Sequence, residues 1–269
     1  MATSRRRGRR PKPYTYIIYL MSTENKITPE QATQKLQDFL VAAGSLPAML
    51  ERAQLIQQAK SIADADVFRL TLDDCCYLIK TYINRPRFIR WLIGRKCLRN
   101  EFDKLRLVQS LETIRAPKPY AMLGKDTLAI EFLRDTKPLK TPDSMPADRF
   151  PTSDFFLELA DMLKTMHDAG ISHGDMRRAN ILVDNQVRPY LIDFATAVQC
   201  SKKSPPWRRV ASRLFINSDN FSFAKITESF YPGLLGEKAL QCFYNPPWYL
   251  RLGRYLRHNI YRRYLRTPK

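Results

Sequence analysis

Apolar positions along the chain change period several times, and each change marks an element. Leu36, Phe39, Leu40 and Ala43 recur at helical spacing and share one face. Thr28-Pro29-Glu30-Gln31 opens that helix: Thr28 can cap it, Pro29 suits the first turn, and Gln31 completes a capping box. Gly44 suits the exit. A second helix is expected over residues 48–60. The period then falls to two. Residues 67–72, an Asp73-Asp74 turn and residues 75–82 form a predicted hairpin. A basic stretch covers 85–96. Helical spacing returns over 98–111, with Phe102, Leu105 and Val108 directed to a core, and two strands follow at 120–123 and 127–133. This is a small sheet with one helix.

Residues 134–152 are polar and contain proline, as a hinge and connector would be. The helix predicted over 154–167 carries Phe155, Phe156, Leu159, Ala160, Leu163 and Met166 at helical spacing, and Gly170 ends it. Residues 201–212 are basic around Pro205-Pro206, and helical character is expected from Phe221 onward. The stretch 246–269 has seven basic and no acidic residues. There Trp248, Leu252, Tyr255, Leu256 and Ile260 share one helical face, with Arg251, Arg254, Arg257 and His258 on another. Such a helix suits an anionic membrane surface or a packed terminal helix with a solvated basic face, and the pattern supports both equally.

Composition narrows the classes. At 269 residues and 44% hydrophobic, the chain can bury a core. The formal charge of +19 favours polyanionic partners. The five cysteines show no C-x-x-C spacing, which argues against a disulfide framework or zinc site and suits a reducing interior. Three histidines are too few for a His-rich metal site. No apolar run approaches a membrane span. Residues 14–20 are apolar but short for a signal peptide, without a small-residue cleavage site. The first twenty residues hold six basic and no acidic groups. Met21 is expected to be the initiator, the competing reading being a basic arm on an anionic surface.

The chemistry concentrates in His173-Gly174-Asp175-Met176-Arg177-Arg178-Ala179-Asn180 and in Tyr190-Leu191-Ile192-Asp193-Phe194. Two carboxylates and an amide lie on loops between short apolar strands, as metal-dependent phosphoryl transfer requires. Upstream, Lys80 ends an apolar strand and Glu101 sits on the next helix, where the two could pair. In this order the segments resemble the protein-kinase superfamily. The resemblance covers about residues 60–200 and is strongest over 164–198. It implies an α+β, two-lobed kinase-like fold, with a β-rich N-lobe holding one key helix and a larger helical C-lobe. The expected divisions are a disordered basic N-terminus (1–25), a helical prelude whose role is packing (26–60), the N-lobe (61–133), the C-lobe (134–245) and a basic amphipathic helix (246–269).

The resemblance also implies roles. Asp175 would be the base and Arg177 a γ-phosphate contact. Asn180 and Asp193 would hold Mg²⁺. Lys80 would grip the phosphates, positioned by Glu101. ATP's adenine would meet the backbone near Glu131 and Leu133, with Ile130 limiting the pocket. His173 would be structural.

The chain departs from the family in places. No G-x-G-x-x-G occurs; residues 61–68 instead resemble the shorter, Ser61-containing phosphate loop of RIO kinases, and place two aspartates near the phosphates. Asp-Phe-Gly is Asp193-Phe194-Ala195, and no Ala-Pro-Glu follows. These features, with Arg-Trp-Leu-Ile-Gly-Arg before the Glu101 helix, resemble small bacterial kinases of the RIO and lipopolysaccharide (Kdo kinase-like) groups. The expected function is phosphoryl transfer from ATP to a hydroxyl of a protein Ser/Thr or a lipopolysaccharide-core sugar. The alternatives are a pseudokinase scaffold binding anionic partners and a small-molecule phosphotransferase of the aminoglycoside or choline kinase type. A cytoplasmic location, or a peripheral one at the inner face of the membrane, is expected, without sequence-specific nucleic-acid binding.

Overall fold

The structure is a computed structural model, and it describes residues 27–61, 63–201 and 203–236. The basic N-terminus with Met21 and the amphipathic stretch 246–269 lie outside the described residues.

Helix α1 (Pro29–Ala43) forms where its signals placed it. Thr28 accepts from the Gln31 amide, the Gln31 side chain accepts in return, and Gly44 ends the helix at φ 75°. Ser45 caps α2, which is only Leu46–Glu51. The helix expected over 48–60 is therefore a correction. After α2 the chain extends as β1 (Gln54–Gln57) and pairs with β2 (Asp66–Leu72). All four β1 residues are exposed, so no buried face holds this segment helical, and the ladder beside β2 satisfies its backbone instead.

The hairpin of β2 and β3 (Cys75–Thr81) turns at Asp73-Asp74, with Leu72 opposite Cys75 and Asp73 left-handed at φ 49°. A short helical turn (Arg87–Ile89) and a π-helical turn (Arg90–Gly94) lead into α3 (Arg95–Gln109). With β4 (Pro119–Met122) and β5 (Thr127–Glu131), these strands form an antiparallel sheet in the order β1-β2-β3-β5-β4.

Strand alternation gives the sheet two buried faces. Cys75, Tyr77 and Ile79 of β3 and Ala129 of β5 meet Leu36, Met49 and Leu50 of α1 and α2. Two long-range hydrogen bonds fix the docking: the Tyr77 hydroxyl donates to the Ala32 carbonyl at 2.8 Å, and Thr33 Oγ1 to the Tyr120 carbonyl at 3.0 Å. The other face, with Leu128 and Ile130, joins Leu98, Leu105 and Val108 of α3 in a core that continues into the second lobe.

In that lobe β6 (Lys137–Pro138), β8 (Ile181–Val183) and β9 (Pro189–Leu191) form one small sheet. The strands β7 (Ile171–Ser172) and β10 (Val198–Gln199) pair in another. Helix α4 (Ser153–Asp168) buries Phe155, Phe156, Leu159 and Met162. The connector over 134–152 is anchored by the buried Arg149, which donates to the Asp135 and Val183 carbonyls and to the Asn185 side chain. Helix α5 (Pro206–Phe230) starts well before Phe221, a second correction. Pro206 sits at its first position, where the missing N–H costs nothing. The architecture is α+β and two-lobed.

Candidate active site

Alternation in β3 turns Tyr77 and Ile79 toward α1 and α2, and therefore Lys80 toward α3. Glu101 of α3 is buried to 1% exposure, where an unpaired carboxylate would be costly. Lys80 Nζ lies 2.7 and 3.0 Å from its two carboxylate oxygens and 3.4 Å from Asp193 Oδ1. One ammonium thus bridges two carboxylates from different lobes. Burial disfavours the Lys80 charge, but Glu101 and Asp193 outweigh it and hold the ammonium well above its ordinary range. Lys80, assisted by its hydrogen bond, lowers the Asp193 carboxyl against burial. Burial raises Glu101 even with Lys80 beside it.

Asp193 sits at φ 68°, ψ 70°, and enters a 3-10 turn (Phe194–Thr196). Asn100, beside Glu101 on α3, fastens that turn. Its Nδ2 donates to the Ala195 and Ala197 carbonyls at 3.0 and 2.8 Å and reaches the Phe194 carbonyl at 3.5 Å. Phe194 is fully buried against the His173 ring, with centroids 4.8 Å apart.

The loop after β7 is held from below by Asp219 of α5, itself 1% exposed. Its carboxylate accepts from the His173 amide at 2.7 Å and the Gly174 amide at 2.9 Å, and meets His167 Nε2 at 3.3 Å. His173 is neutral: burial lowers its pKa despite the surrounding carboxylates. Its Nε2–H donates to the Ile192 carbonyl at 3.0 Å, and Nδ1 accepts weakly from the Asp175 amide at 3.4 Å. Gly174 has φ 81°, and a Cβ there would lie 2.6 Å from the Thr196 carbonyl oxygen. The close approach of loop and turn requires glycine at this position.

Asp175 is accessible, with its side chain at 24% exposure, while Asn180 is buried. Asn180 Nδ2 donates to the Asp175 carbonyl at 2.9 Å and to Asp175 Oδ2 at 3.1 Å. That commits the amide nitrogen and leaves Asn180 Oδ1 as the donor atom for a cation. Arg177 Nε lies 3.0 Å from Asp175 Oδ2, so the guanidinium rests on this carboxylate.

Hydrogen bonds hold the described residues of the glycine-free stretch before β2. Asp66 accepts from the Ala59 amide and from Arg85 at 2.9 Å each, and the Tyr82 hydroxyl donates to the Ala63 carbonyl at 2.9 Å. Asp66 is therefore neutralised by Arg85 and buried, which removes one of the two aspartates expected near phosphates. The Ser61 hydroxyl is buried without a hydrogen-bond partner among the described residues. Where β5 ends, the Glu131 and Phe132 amides donate to the Lys118 and Cys76 carbonyls. The Glu131 carboxylate accepts from the Lys118 amide at 3.1 Å, and the Leu133 carbonyl accepts from Thr136 Oγ1 at 3.0 Å.

Sequence comparison bears on this arrangement. Residues 87–209 match the RIO domain. Over 90 residues the chain is 30% identical to "Serine/threonine-protein kinase PKH2" of Candida albicans (strain SC5314 / ATCC MYA-2876), covering 32% of this chain and 10% of that protein. Over 63 residues it is 40% identical to "Probable serine/threonine-protein kinase FPV226" of Fowlpox virus (strain NVSL), covering 19% of this chain and 22% of that protein. These matches support assignment to the protein-kinase-like superfamily. The chain matches well under two thirds of the length of either relative.

Of the residues picked out by the kinase-like sequence pattern, Lys80, Glu101 and Asp193 form one junction, and Asp175, Arg177 and Asn180 form a second on the neighbouring loop. Ser61 lies on the loop before β2, Glu131 ends β5 and Leu133 follows just after it. Sequence reasoning missed Asp219, Asn100 and the Asp66–Arg85 pair. The signal for Asn100 was its place beside Glu101 on an otherwise amphipathic helix. Asp219 lies in a helix whose start was misplaced, so its burial had no local sign.

Proposed function

We propose that the chain is an ATP- and Mg²⁺-dependent kinase that transfers the γ-phosphoryl group to a hydroxyl. The observation that carries this reading is the Lys80 ammonium held between Glu101 and Asp193, 2.7 and 3.4 Å away. A surface lysine needs no such support; one that must meet phosphates at a fixed point does.

The residues present fit Mg²⁺. Asn180 Oδ1 and the Asp193 carboxylate are hard oxygen donors, and Lys80 keeps Asp193 ionised. Among the described residues no cluster of three or more His, Cys, Asp or Glu side chains could hold a metal alone. That suits Mg²⁺, which keeps waters and completes its shell with substrate phosphates. When bound, the ion would neutralise phosphate charge.

The chain's own groups then have defined tasks. Lys80 binds phosphate oxygens and Glu101 keeps it in place. The unpartnered Ser61 hydroxyl supplies a donor where a glycine-rich loop would offer amides. Backbone at Glu131 and Leu133 meets the base, above Ile130. Asp175 accepts the proton of the attacking hydroxyl as its oxygen bonds to the γ-phosphorus. The bond from that phosphorus to the bridging oxygen breaks, and ADP leaves. Arg177 steadies Asp175 and, as the family pattern implies, would contact the γ-phosphate. The acceptor class is a protein Ser/Thr or a lipopolysaccharide-core sugar.

The test is incubation with radiolabelled ATP and Mg²⁺, offering mixed protein and lipopolysaccharide precursor as acceptors. Label is expected on one acceptor, lost with Asp175→Ala and Asp193→Ala. Asp175→Ala keeps nucleotide binding, whereas Asp193→Ala loses its Mg²⁺-dependent part. Nucleotide binding without Mg²⁺ dependence and without label on any acceptor would replace this reading with a pseudokinase scaffold.

A further inference from the structure

Helix α5 is amphipathic in reverse over its first half. Ser212 and Asp219 are buried, and Phe223 follows them on the same inward stripe. At about 100° per residue, Trp207, Val210 and Leu214 lie on the opposite side of the helix. They are 71%, 57% and 39% exposed. The inward polar stripe has a task, since Asp219 holds the His173 and Gly174 amides. The outward apolar row has none within the described residues, whereas a surface helix ordinarily turns such a row to the core.

The charges around the row have one sign. Residues 194–218 hold five basic and no acidic groups. Arg209 and Arg213 flank the row on one side, and both are exposed, as are Lys203 and Arg208. Every residue from Pro205 to Val210 is exposed. This end of the helix therefore stands clear of the lobe, and its apolar row and its arginines can meet one surface together.

We infer that the first half of α5 docks on an anionic lipid surface. Trp207, Val210 and Leu214 enter the boundary between headgroups and acyl chains, and the arginines pair with headgroup phosphates and carboxylates. Charge complementarity selects the occupant. The chain's own end stretches do not fit: the first twenty residues hold six basic and no acidic groups, and residues 246–269 seven and none. Like charge opposes a second copy of this face as well. Among polyanions the apolar row decides. Nucleic acid would engage the arginines and leave Trp207, Val210 and Leu214 in water, whereas a bilayer takes up both. No described helix is long and apolar enough to cross a membrane, so this contact lies on the surface. The consequence reaches the site. Asp219, which holds the loop that carries Asp175, lies ~18 Å farther along α5 than Trp207. Docking would therefore set that loop at a fixed height above the headgroups.

The test uses the full chain without nucleotide, so its outcome is separable from that of the kinase reading. Trp91→Phe with Trp248→Phe leaves Trp207 as the one tryptophan. Its emission should be that of an exposed indole in buffer. It should shift to the blue with vesicles of phosphatidylcholine and phosphatidylserine, and not with phosphatidylcholine alone. Co-sedimentation of the unaltered chain with the mixed vesicles should weaken about tenfold or more with Trp207→Ser plus Leu214→Ser, and likewise with Arg209→Glu plus Arg213→Glu. All four side chains are exposed, so both variants should melt as wild type does. Binding that survives both variants and is lost only with Arg251→Glu plus Arg254→Glu would overturn the proposal. Blue-shifted emission before vesicles are added would overturn it too, because the chain itself would then cover the row. So would a Trp207 shift produced by RNA or polyglutamate and by no vesicle.

Discussion

The carboxylate of Asp219 accepts the backbone amide of His173 at 2.7 Å, joining α5 to a loop 46 residues earlier in the chain. The same carboxylate takes the Gly174 amide at 2.9 Å. The His173 donor is buried and the Gly174 donor half-buried, so the first cannot turn to water when the acceptor is removed. Asp219→Ala should therefore destabilise the fold by about 1–3 kcal/mol, the cost of a buried unsatisfied donor. Urea unfolding measures this. Asp219→Asn should cost less, because its amide oxygen still accepts. If the two variants were equally stable, the clamp would have no structural weight.

Gly174 supports a second prediction. Its left-handed φ of 81° and the 2.6 Å approach of an added Cβ to the Thr196 carbonyl act together. Gly174→Ala should cost about 1 kcal/mol or more from backbone conformation alone. The clash adds to this by pushing the Phe194–Thr196 turn, and Asp193 with it, away from Lys80. Phosphoryl transfer should fall further than the stability loss explains. The check is turnover measured well below the melting temperature of the variant; full activity there would contradict the coupling.

How far the sequence disclosed this molecule depends on the range of the interactions involved. The cap at Thr28, the Asp73-Asp74 hairpin and the apolar stripe of α4 are local signals, and the structure follows them. The residues of the candidate site were legible because their order along the chain is distinctive, and the fold brings Lys80, Glu101 and Asp193 together. What escaped was set by tertiary contact. The segment at β1 has helix-compatible composition, and only the free edge of β2 decides its state. Helix α5 buries Asp219 and Phe223 but leaves Trp207 and Val210 exposed, so its pattern gives no clean stripe. Asp219 and Asn100 are ordinary polar residues until the loops they hold are in place.

Asn100 is best tested by changing one atom. Its amide nitrogen donates to the carbonyls of Ala195 and Ala197 at 3.0 and 2.8 Å. Asn100→Asp keeps the shape but sets a carboxylate against carbonyl oxygens, all acceptors, and brings a negative charge near Glu101. Asn100→Ala merely empties the place. The Asp variant should accordingly be the less stable of the two, by about 1 kcal/mol, from facing acceptors with an acceptor at a half-buried position. Thermal melts of both variants decide it. An Asp variant more stable than Ala would show that the carbonyls are not what Asn100 holds.

The last prediction concerns acid. His173 is buried and its folded-state pKa is depressed, with burial outweighing the nearby carboxylates. The unfolded chain, with an ordinary histidine pKa of about 6.5, binds a proton that the folded chain refuses. Stability from this group is therefore complete above that value and is lost as pH falls toward the folded pKa. The slope is at most about 1.4 kcal/mol per pH unit for one proton. His173→Phe removes the titration while retaining a ring against Phe194. It forfeits the hydrogen bond to the Ile192 carbonyl, so it should be less stable than wild type at pH 7.5. Between pH 7 and pH 5, however, wild type should lose more stability than the variant, and the two urea midpoints should converge. Parallel pH profiles would mean that His173 takes up its proton without opposing the fold, and that its ring is not held neutral beneath Asp193.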